Sequence, residues 1–128
     1  MKKIGRTELS RLLTNNVCEI VFVRRRPERA RGRPETRKMI CSNSMDLLNS
    51  HRGITALNFH LPRGPKMVDE RVHNLVVVWD IFMQDYRNVS MESCYLMRKT
   101  PANDEFWKYY DEVLVHMEAS DKMQFMDS

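Results

Sequence analysis

The strongest constraint on the fold is the run NLVVVWDIF at residues 74–82, which is rich in β-branched and aromatic residues. Such residues are typical of strands. Similar runs at 17–23 and 36–41 predict two more strands, and a return strand is predicted at 86–98. Loose alternation at 54–61 predicts a fifth strand at an edge of the sheet. Five short strands favour a small, strongly curved barrel over a sandwich, in a mainly β fold.

Helical patterns flank these strands. Leucines at helical spacing predict a short helix within residues 1–16. Asn103 is expected to cap an amphipathic helix that packs on the barrel. The 128 residues suit one domain with a single core. We therefore expect a single domain, 1–128, made of this first helix, a barrel at 17–98 and a C-terminal helical element at 103–128.

A long Arg-rich connection lies between the first two predicted strands, at residues 24–38. It holds eight basic and two acidic residues. Two prolines and a glycine within it exclude a continuous helix. Arginine favours bidentate contacts with phosphate and stacking on planar groups, so the expected partner is a nucleic acid, either DNA or RNA. The residues predicted to contact it are Arg24, Arg25, Arg26, Arg29, Arg31, Arg33, Arg37 and Lys38.

The net charge of +4 is unevenly distributed along the chain. Residues 1–71 contain sixteen Lys and Arg against seven Asp and Glu, whereas residues 72–128 contain five against ten. This polarity predicts one basic face for a polyanion and an acidic C-terminal element directed elsewhere. The alternative is that the opposite charges neutralise each other across the fold.

Several other classes of protein lack support in the sequence. No apolar run approaches the ~20 residues that span a bilayer, and no hydrophobic segment follows the N-terminal MKKIG. Three widely spaced cysteines indicate free thiols in a reducing, cytoplasmic compartment. Paired Cys and His spacings, phosphate loops and nucleophile motifs are missing. We therefore expect a non-enzymatic protein with no metal site, no cofactor and no membrane partner.

Aromatic residues outside the connection indicate two further candidate surfaces. Trp79, Tyr86 and Arg87 are candidates for a platform on which a base stacks. The alternative, which we prefer, is structural, with Trp79 in the core and an Asp80–Arg87 pair across a hairpin turn. The candidates for a protein-binding surface on the C-terminal helix are Phe106, Trp107 and Tyr110.

Three short motifs carry a family resemblance: TRKMICS at 36–42, VVVWD at 76–80 and Tyr-Arg at 86–87. With them, residues 17–98 resemble a mostly uncharacterised family of small tailed-bacteriophage proteins. The resemblance implies an Sm-like, SH3-like β-barrel, a phage origin and a location in the cytoplasm of the infected host cell.

Three functional hypotheses follow. The first is an accessory or regulatory protein that binds nucleic acid through the Arg-rich connection. The alternative is a phage effector that binds and inhibits or redirects a host protein with an acidic surface. A third hypothesis is a homo-oligomeric ring assembled through the predicted edge strand at 54–59.

Overall fold

One antiparallel sheet of six strands organises the described residues of the computed structural model, 1–24, 35–62 and 69–126. The order across the sheet is β1-β6-β2-β3-β4-β5, and the sheet is open, with β1 and β5 at its edges. The strands are β1 (Lys2–Lys3), β2 (Asn16–Val23), β3 (Thr36–Ser42), β4 (Leu75–Asp80), β5 (Asp85–Ser90) and β6 (Cys94–Pro101). The mainly β prediction is confirmed, whereas closure into an SH3-like or Sm-like barrel stays a prediction.

Helices precede, interrupt and follow the sheet. They are α1 (Arg6–Asn15), α2 (Met45–Leu48), α3 (His51–Leu57), α4 (Asp104–Glu112) and α5 (Ala119–Met123), with a 3₁₀ turn at Leu114–His116. Asn103 caps α4 as predicted, because its side-chain oxygen accepts a hydrogen bond from the Glu105 amide at 2.9 Å. Within the described ranges, no helix has the length and apolar character needed to cross a membrane.

The predicted edge strand at 54–61 is wrong, because its first residues belong to α3. Ser50 caps this helix by accepting a hydrogen bond from the Gly53 amide at 3.0 Å. Gly53 and Leu57 are buried whereas Thr55, midway between them, is exposed, a pattern that follows one helical face rather than the alternation of a strand. The ring hypothesis therefore loses the edge strand on which it depended.

Two further boundaries differ from the prediction. The single return strand at 86–98 is divided into β5 and β6 by residues 91–93. The short strand β1 was missed, because a pair of lysines carries no apolar alternation. β1 forms by pairing with β6, where Lys2 is opposite Leu96 and Lys3 is opposite Tyr95.

Alternation along the strands gives the sheet two faces, which we call inner and outer. On β3, Met39 and Cys41 face inward, whereas Lys38 and Ile40 face outward, as predicted. The inner face packs against α1 in a cluster that includes Leu9, Leu13, Cys18, Ile20, Phe22, Met39, Cys41, Val76, Val78, Val89 and Cys94. The outer face packs against α2, α3, α4 and the 3₁₀ turn in a cluster that includes Val17, Ile40, Leu47, Leu48, Leu57, Phe59, Trp79, Phe106, Leu114 and Phe125.

Candidate nucleic-acid interface

The β2–β3 hairpin brings the two ends of the Arg-rich connection together. Its strands stay in register from Val17 opposite Ser42 to Val23 opposite Thr36. Beyond them, the Arg24 amide donates a hydrogen bond to the Glu35 carbonyl oxygen at 2.7 Å. The candidates Arg25, Arg26, Arg29, Arg31 and Arg33 lie outside the described residues. The point from which the connection leaves the sheet is therefore defined by Arg24 and Glu35.

Arg37 belongs to the core rather than to an exposed interface. Its side chain is only 4% exposed and lies on the inner face, where Nη2 donates to Asp80 Oδ2 at 2.6 Å. Asp80 is fully buried and also accepts a hydrogen bond from the Met83 amide at 3.1 Å. Burial raises the pKa of Asp80, and the Met83 amide and the Arg37 charge oppose this shift only in part. This pairing removes Arg37 from the residues that can contact a phosphate.

Trp79 offers no ring face to a base, because its side chain is completely buried in the outer cluster. Its ring centroid lies 5.1 Å from Phe59, 5.0 Å from His60 and 5.0 Å from Tyr86, each in an edge-to-face arrangement. The Tyr86 hydroxyl donates to the His60 carbonyl oxygen at 2.9 Å. These contacts fasten the segment after α3 to the β4–β5 hairpin, which agrees with the structural interpretation of Trp79.

Arg87, the third member of the predicted platform, makes a different ion pair from the predicted one. Its Nη1 lies 3.1 Å from Asp85 Oδ2, whereas Asp80 pairs with Arg37. Alternation along β5 places Arg87 on the inner face and Tyr86 on the outer face, because consecutive side chains point to opposite sides. The structure therefore does not bring Trp79, Tyr86 and Arg87 together as one exposed platform.

A different set of residues forms a basic and aromatic surface beside the Arg-rich connection. Lys3 is opposite Tyr95, Tyr95 is opposite Val21, and Val21 is opposite Lys38. Directly opposed residues on antiparallel strands share a face, so these four side chains form one row across β1, β6, β2 and β3. We call it the Lys3–Lys38 row, and it lies on the outer face.

The outer face is less covered at this row than at the other end of β6. Val21 and Tyr95 are half-buried and belong to neither core cluster, and Lys3 is exposed. Lys38 is half-buried, and its Nζ donates a hydrogen bond to Gln124 Oε1 at 3.0 Å. Covering by α4 begins farther along, where the Tyr109 hydroxyl donates to Glu19 Oε1 at 2.7 Å. Burial, together with the Glu19 carboxylate, raises the pKa of Tyr109 to about 12. The Lys3 and Tyr95 part of this row is therefore accessible, whereas its Lys38 end is contacted by Gln124, in the segment after α5.

The C-terminal candidates for protein contact differ in accessibility. Phe106 is completely buried, so it is part of the core rather than of a surface. Trp107 and Tyr110 are half-buried, and the Arg52 guanidinium lies over Trp107, 4.4 Å from the ring centroid. Arg52 also forms an ion pair with Asp111. A cleft of about 260 Å³ opens nearby, lined by Ile81, Phe82, Gln84, Tyr110, Leu114, Val115, Lys122 and Met126.

The three cysteines are buried free thiols on the inner face. Burial raises the pKa of Cys18 to about 12 and that of Cys94 to about 11, and it also raises the pKa of Cys41 well above its ordinary value. These thiols are poor nucleophiles because they stay protonated near neutral pH. Among the described residues, no three side chains of the His, Cys, Asp and Glu types are grouped in a way that would hold a metal ion.

Of the residues at this candidate interface, Arg24 and Lys38 were predicted from the sequence, whereas Lys3 and Tyr95 were not. The only sequence signal for Lys3 and Tyr95 was that Tyr95 lies in a predicted strand. Their position on the outer face depends on pairings between segments that are distant in sequence. Comparisons with models of protein families, with curated proteins and with solved structures found no match to this chain. Arguments about function therefore rest on the chain's own residues.

Proposed function

We propose that this chain is a non-enzymatic nucleic-acid-binding accessory or regulatory protein. The binding surface would comprise the Arg-rich connection and the adjoining Lys3–Lys38 row. The observation that carries the proposal is the position of that row, which has lysines at both ends and lies on the strands that hold the connection. Lysine and arginine neutralise backbone phosphates and release counterions, and this supplies much of the affinity for nucleic acid.

The separation of charge along the strands supports the same proposal. Asn16, at the start of β2, is opposite Pro101, and the acidic helix α4 begins three residues later. The Arg-rich connection leaves β2 at its other end, after Val23. At about 3.3 Å per residue, these two ends of β2 lie roughly 23 Å apart. This distance exceeds the Debye length of about 8 Å at physiological salt, so the acidic residues at the start of α4, Asp104 and Glu105, are largely screened from the base of the connection.

For the fold, we infer an SH3-like or Sm-like barrel of phage origin that acts in the host cytoplasm. Two points support this finer assignment. Only residues 91–93 separate β5, at one edge of the sheet, from β6, which lies next to the other edge strand, β1. The motifs at 36–42 and 76–80 resemble those of the phage family.

Two variants of equal net charge test the nucleic-acid proposal. In the first, Arg29, Arg31 and Arg33 are changed to Ser; in the second, Arg71, Lys108 and Lys122 are changed to Ser. Fluorescence anisotropy with labelled single-stranded and double-stranded oligonucleotides would measure affinity. We expect at least about tenfold weaker binding for the first variant and little change for the second, because position rather than total charge determines the contacts. Equal losses would contradict the proposal.

A second candidate function is binding of a host protein, and the C-terminal cleft favours it. Val113, Val115 and Met123 are each at least about 40% exposed near this cleft. Exposed apolar residues at a cleft are typical of protein contact sites. If the wild-type protein binds neither oligonucleotide, affinity capture from host extract, with a Val115→Asp variant as control, becomes the deciding experiment.

A further inference from the structure

We propose that Tyr95 stacks on a base of a single-stranded nucleic acid, while Lys3 and Lys38 contact its backbone. This inference rests on the proposed function and specifies the form of the ligand. Stacking of bases on aromatic side chains is how sheet surfaces bind single strands without a fixed sequence. Tyr95 replaces Trp79 in this role, because Trp79 is completely buried whereas Tyr95 is only half-buried.

The position of Tyr95 between two lysines supports the inference. Tyr95 is next to Lys3 on β1 and two strands away from Lys38 on β3. With strands about 4.8 Å apart, the two lysines lie roughly 14 Å from each other across the sheet. A strand of nucleic acid that crosses this row would meet one positive charge on each side of the aromatic ring. At Lys38, a phosphate would replace Gln124 Oε1 as the partner of Nζ in an exposed hydrogen bond.

Tyr95 also differs from the other three tyrosines in its contacts. Tyr86 is hydrogen-bonded to His60, Tyr109 is hydrogen-bonded to Glu19, and Tyr110 packs on the rings of Phe106 and Trp107. Within the described parts of the chain, Tyr95 makes no hydrogen bond through its hydroxyl and no contact with another ring. A half-buried tyrosine whose hydroxyl and ring have no such partner among the described residues is suited to an external planar partner.

Single strands fit this surface better than duplexes. In a duplex the bases are stacked on each other, so their planar faces are not available to a side chain on an intact sheet. A single strand exposes those faces, and every base has one, which makes binding tolerant of sequence. The lysines would contact either form, so the contribution of Tyr95 distinguishes the two.

The test compares three probes of about 20 units each, longer than a typical single-strand site. They are oligothymidylate, an abasic deoxyribose-phosphate strand with the same charge, and a mixed-sequence DNA duplex. Affinities are measured by fluorescence anisotropy for the wild type, Tyr95→Leu, Tyr95→Phe and the control Tyr110→Leu. Circular dichroism and thermal unfolding verify that each variant is folded.

We expect the wild type and Tyr95→Phe to bind oligothymidylate about tenfold or more tightly than the abasic strand, because both retain the ring. Tyr95→Leu should bind these two probes about equally, with unchanged affinity for the duplex, and Tyr110→Leu should resemble the wild type. A wild type that binds both single strands equally would overturn the stacking inference and leave the proposed function intact. A wild type that binds none of the three probes would overturn both.

Discussion

Arg37 lies in the most basic stretch of the sequence, yet it is buried on the inner face in an ion pair with Asp80. A buried ion pair gains little net stability, since the loss of hydration offsets the attraction between the charges. Removing one partner has a larger effect, because the other charge then stays buried without compensation. The pair joins β3 to β4, and a substitution that removes one of its charges should therefore lower the free energy of unfolding.

We predict that Asp80→Asn lowers the free energy of unfolding by about 3–5 kcal/mol, because it leaves the Arg37 guanidinium uncompensated. Asp85→Asn is the matched control, since it removes an ion pair whose carboxylate is 55% exposed. Such surface pairs contribute about 0–1 kcal/mol. Urea denaturation of the three proteins would measure the difference, and similar losses for both variants would contradict the buried pairing.

The buried thiols predict a loss of stability at alkaline pH. The pKa of Cys18 is raised from 9.0 to about 12, and that of Cys94 from 9.0 to about 11. In the unfolded chain the thiols lose their protons near their ordinary pKa, whereas in the folded chain they retain them to higher pH. The free energy of unfolding is therefore unaffected by these thiols below about pH 8.5 and falls as the pH rises above it. Between its pKa in the unfolded chain and its pKa in the folded chain, each thiol lowers the free energy of unfolding by up to about 1.4 kcal/mol per pH unit.

Urea denaturation in reducing buffer between about pH 8 and about pH 10 would measure this slope. The double variant Cys18→Ala and Cys94→Ala lacks two of the titrating groups, so its stability should fall less steeply with pH. A slope identical to that of the wild type would show that ionisation of these thiols is not coupled to unfolding.

Among the elements, the α2–α3 pair depends on a glycine at their contact. Any side chain at Gly53 would overlap the carbonyl oxygens of Leu47 and Leu48, which are backbone atoms that cannot move aside cheaply. The same residue donates its amide to the Ser50 cap of α3. Close approach of the two helices therefore requires glycine at this position.

Gly53→Ala should lower the free energy of unfolding by about 1–3 kcal/mol, as expected for overpacking. Gly5→Ala adds the same methyl group where nothing lies within 4 Å. There we expect at most about 1 kcal/mol, from the weaker N-capping of α1 by alanine. Thermal or urea unfolding of both variants would measure the contrast, and an unaffected Gly53→Ala would contradict the packing of α2 on α3.

Local patterns predicted the elements whose signals lie within a few residues. Alternation identified the two faces of β3, and the polar residue before α4 identified its cap. Pairings between distant segments were not predictable in this way. β1 needs β6 as a partner, α3 depends on the space that Gly53 leaves beside α2, and Arg37 is buried because Asp80, 43 residues away, lies within reach. For the same reason only part of the proposed surface could be predicted, since Lys38 belongs to a local basic run whereas Tyr95 joins it through strand pairing.

For the whole molecule, the proposal depends on where positive charge is concentrated. A net charge of +4 spread evenly would give weak and unspecific attraction. Placement of the Arg-rich connection and the Lys3–Lys38 row at one end of the sheet would instead give a focused surface for a polyanion. Salt dependence distinguishes these cases, because it reports how many phosphates the protein neutralises.

The most direct test is the slope of log Kd against log salt concentration for a single-stranded oligonucleotide, measured for the wild type and both triple variants. Each phosphate contact on a single strand contributes about 0.7 to this slope. We expect the variant that lacks Arg29, Arg31 and Arg33 to lose about 2 from the slope, while the variant that lacks Arg71, Lys108 and Lys122 keeps the wild-type value. Slopes that decrease equally in both variants, or a wild-type protein that does not bind near physiological salt, would contradict nucleic-acid binding through the basic end of the sheet.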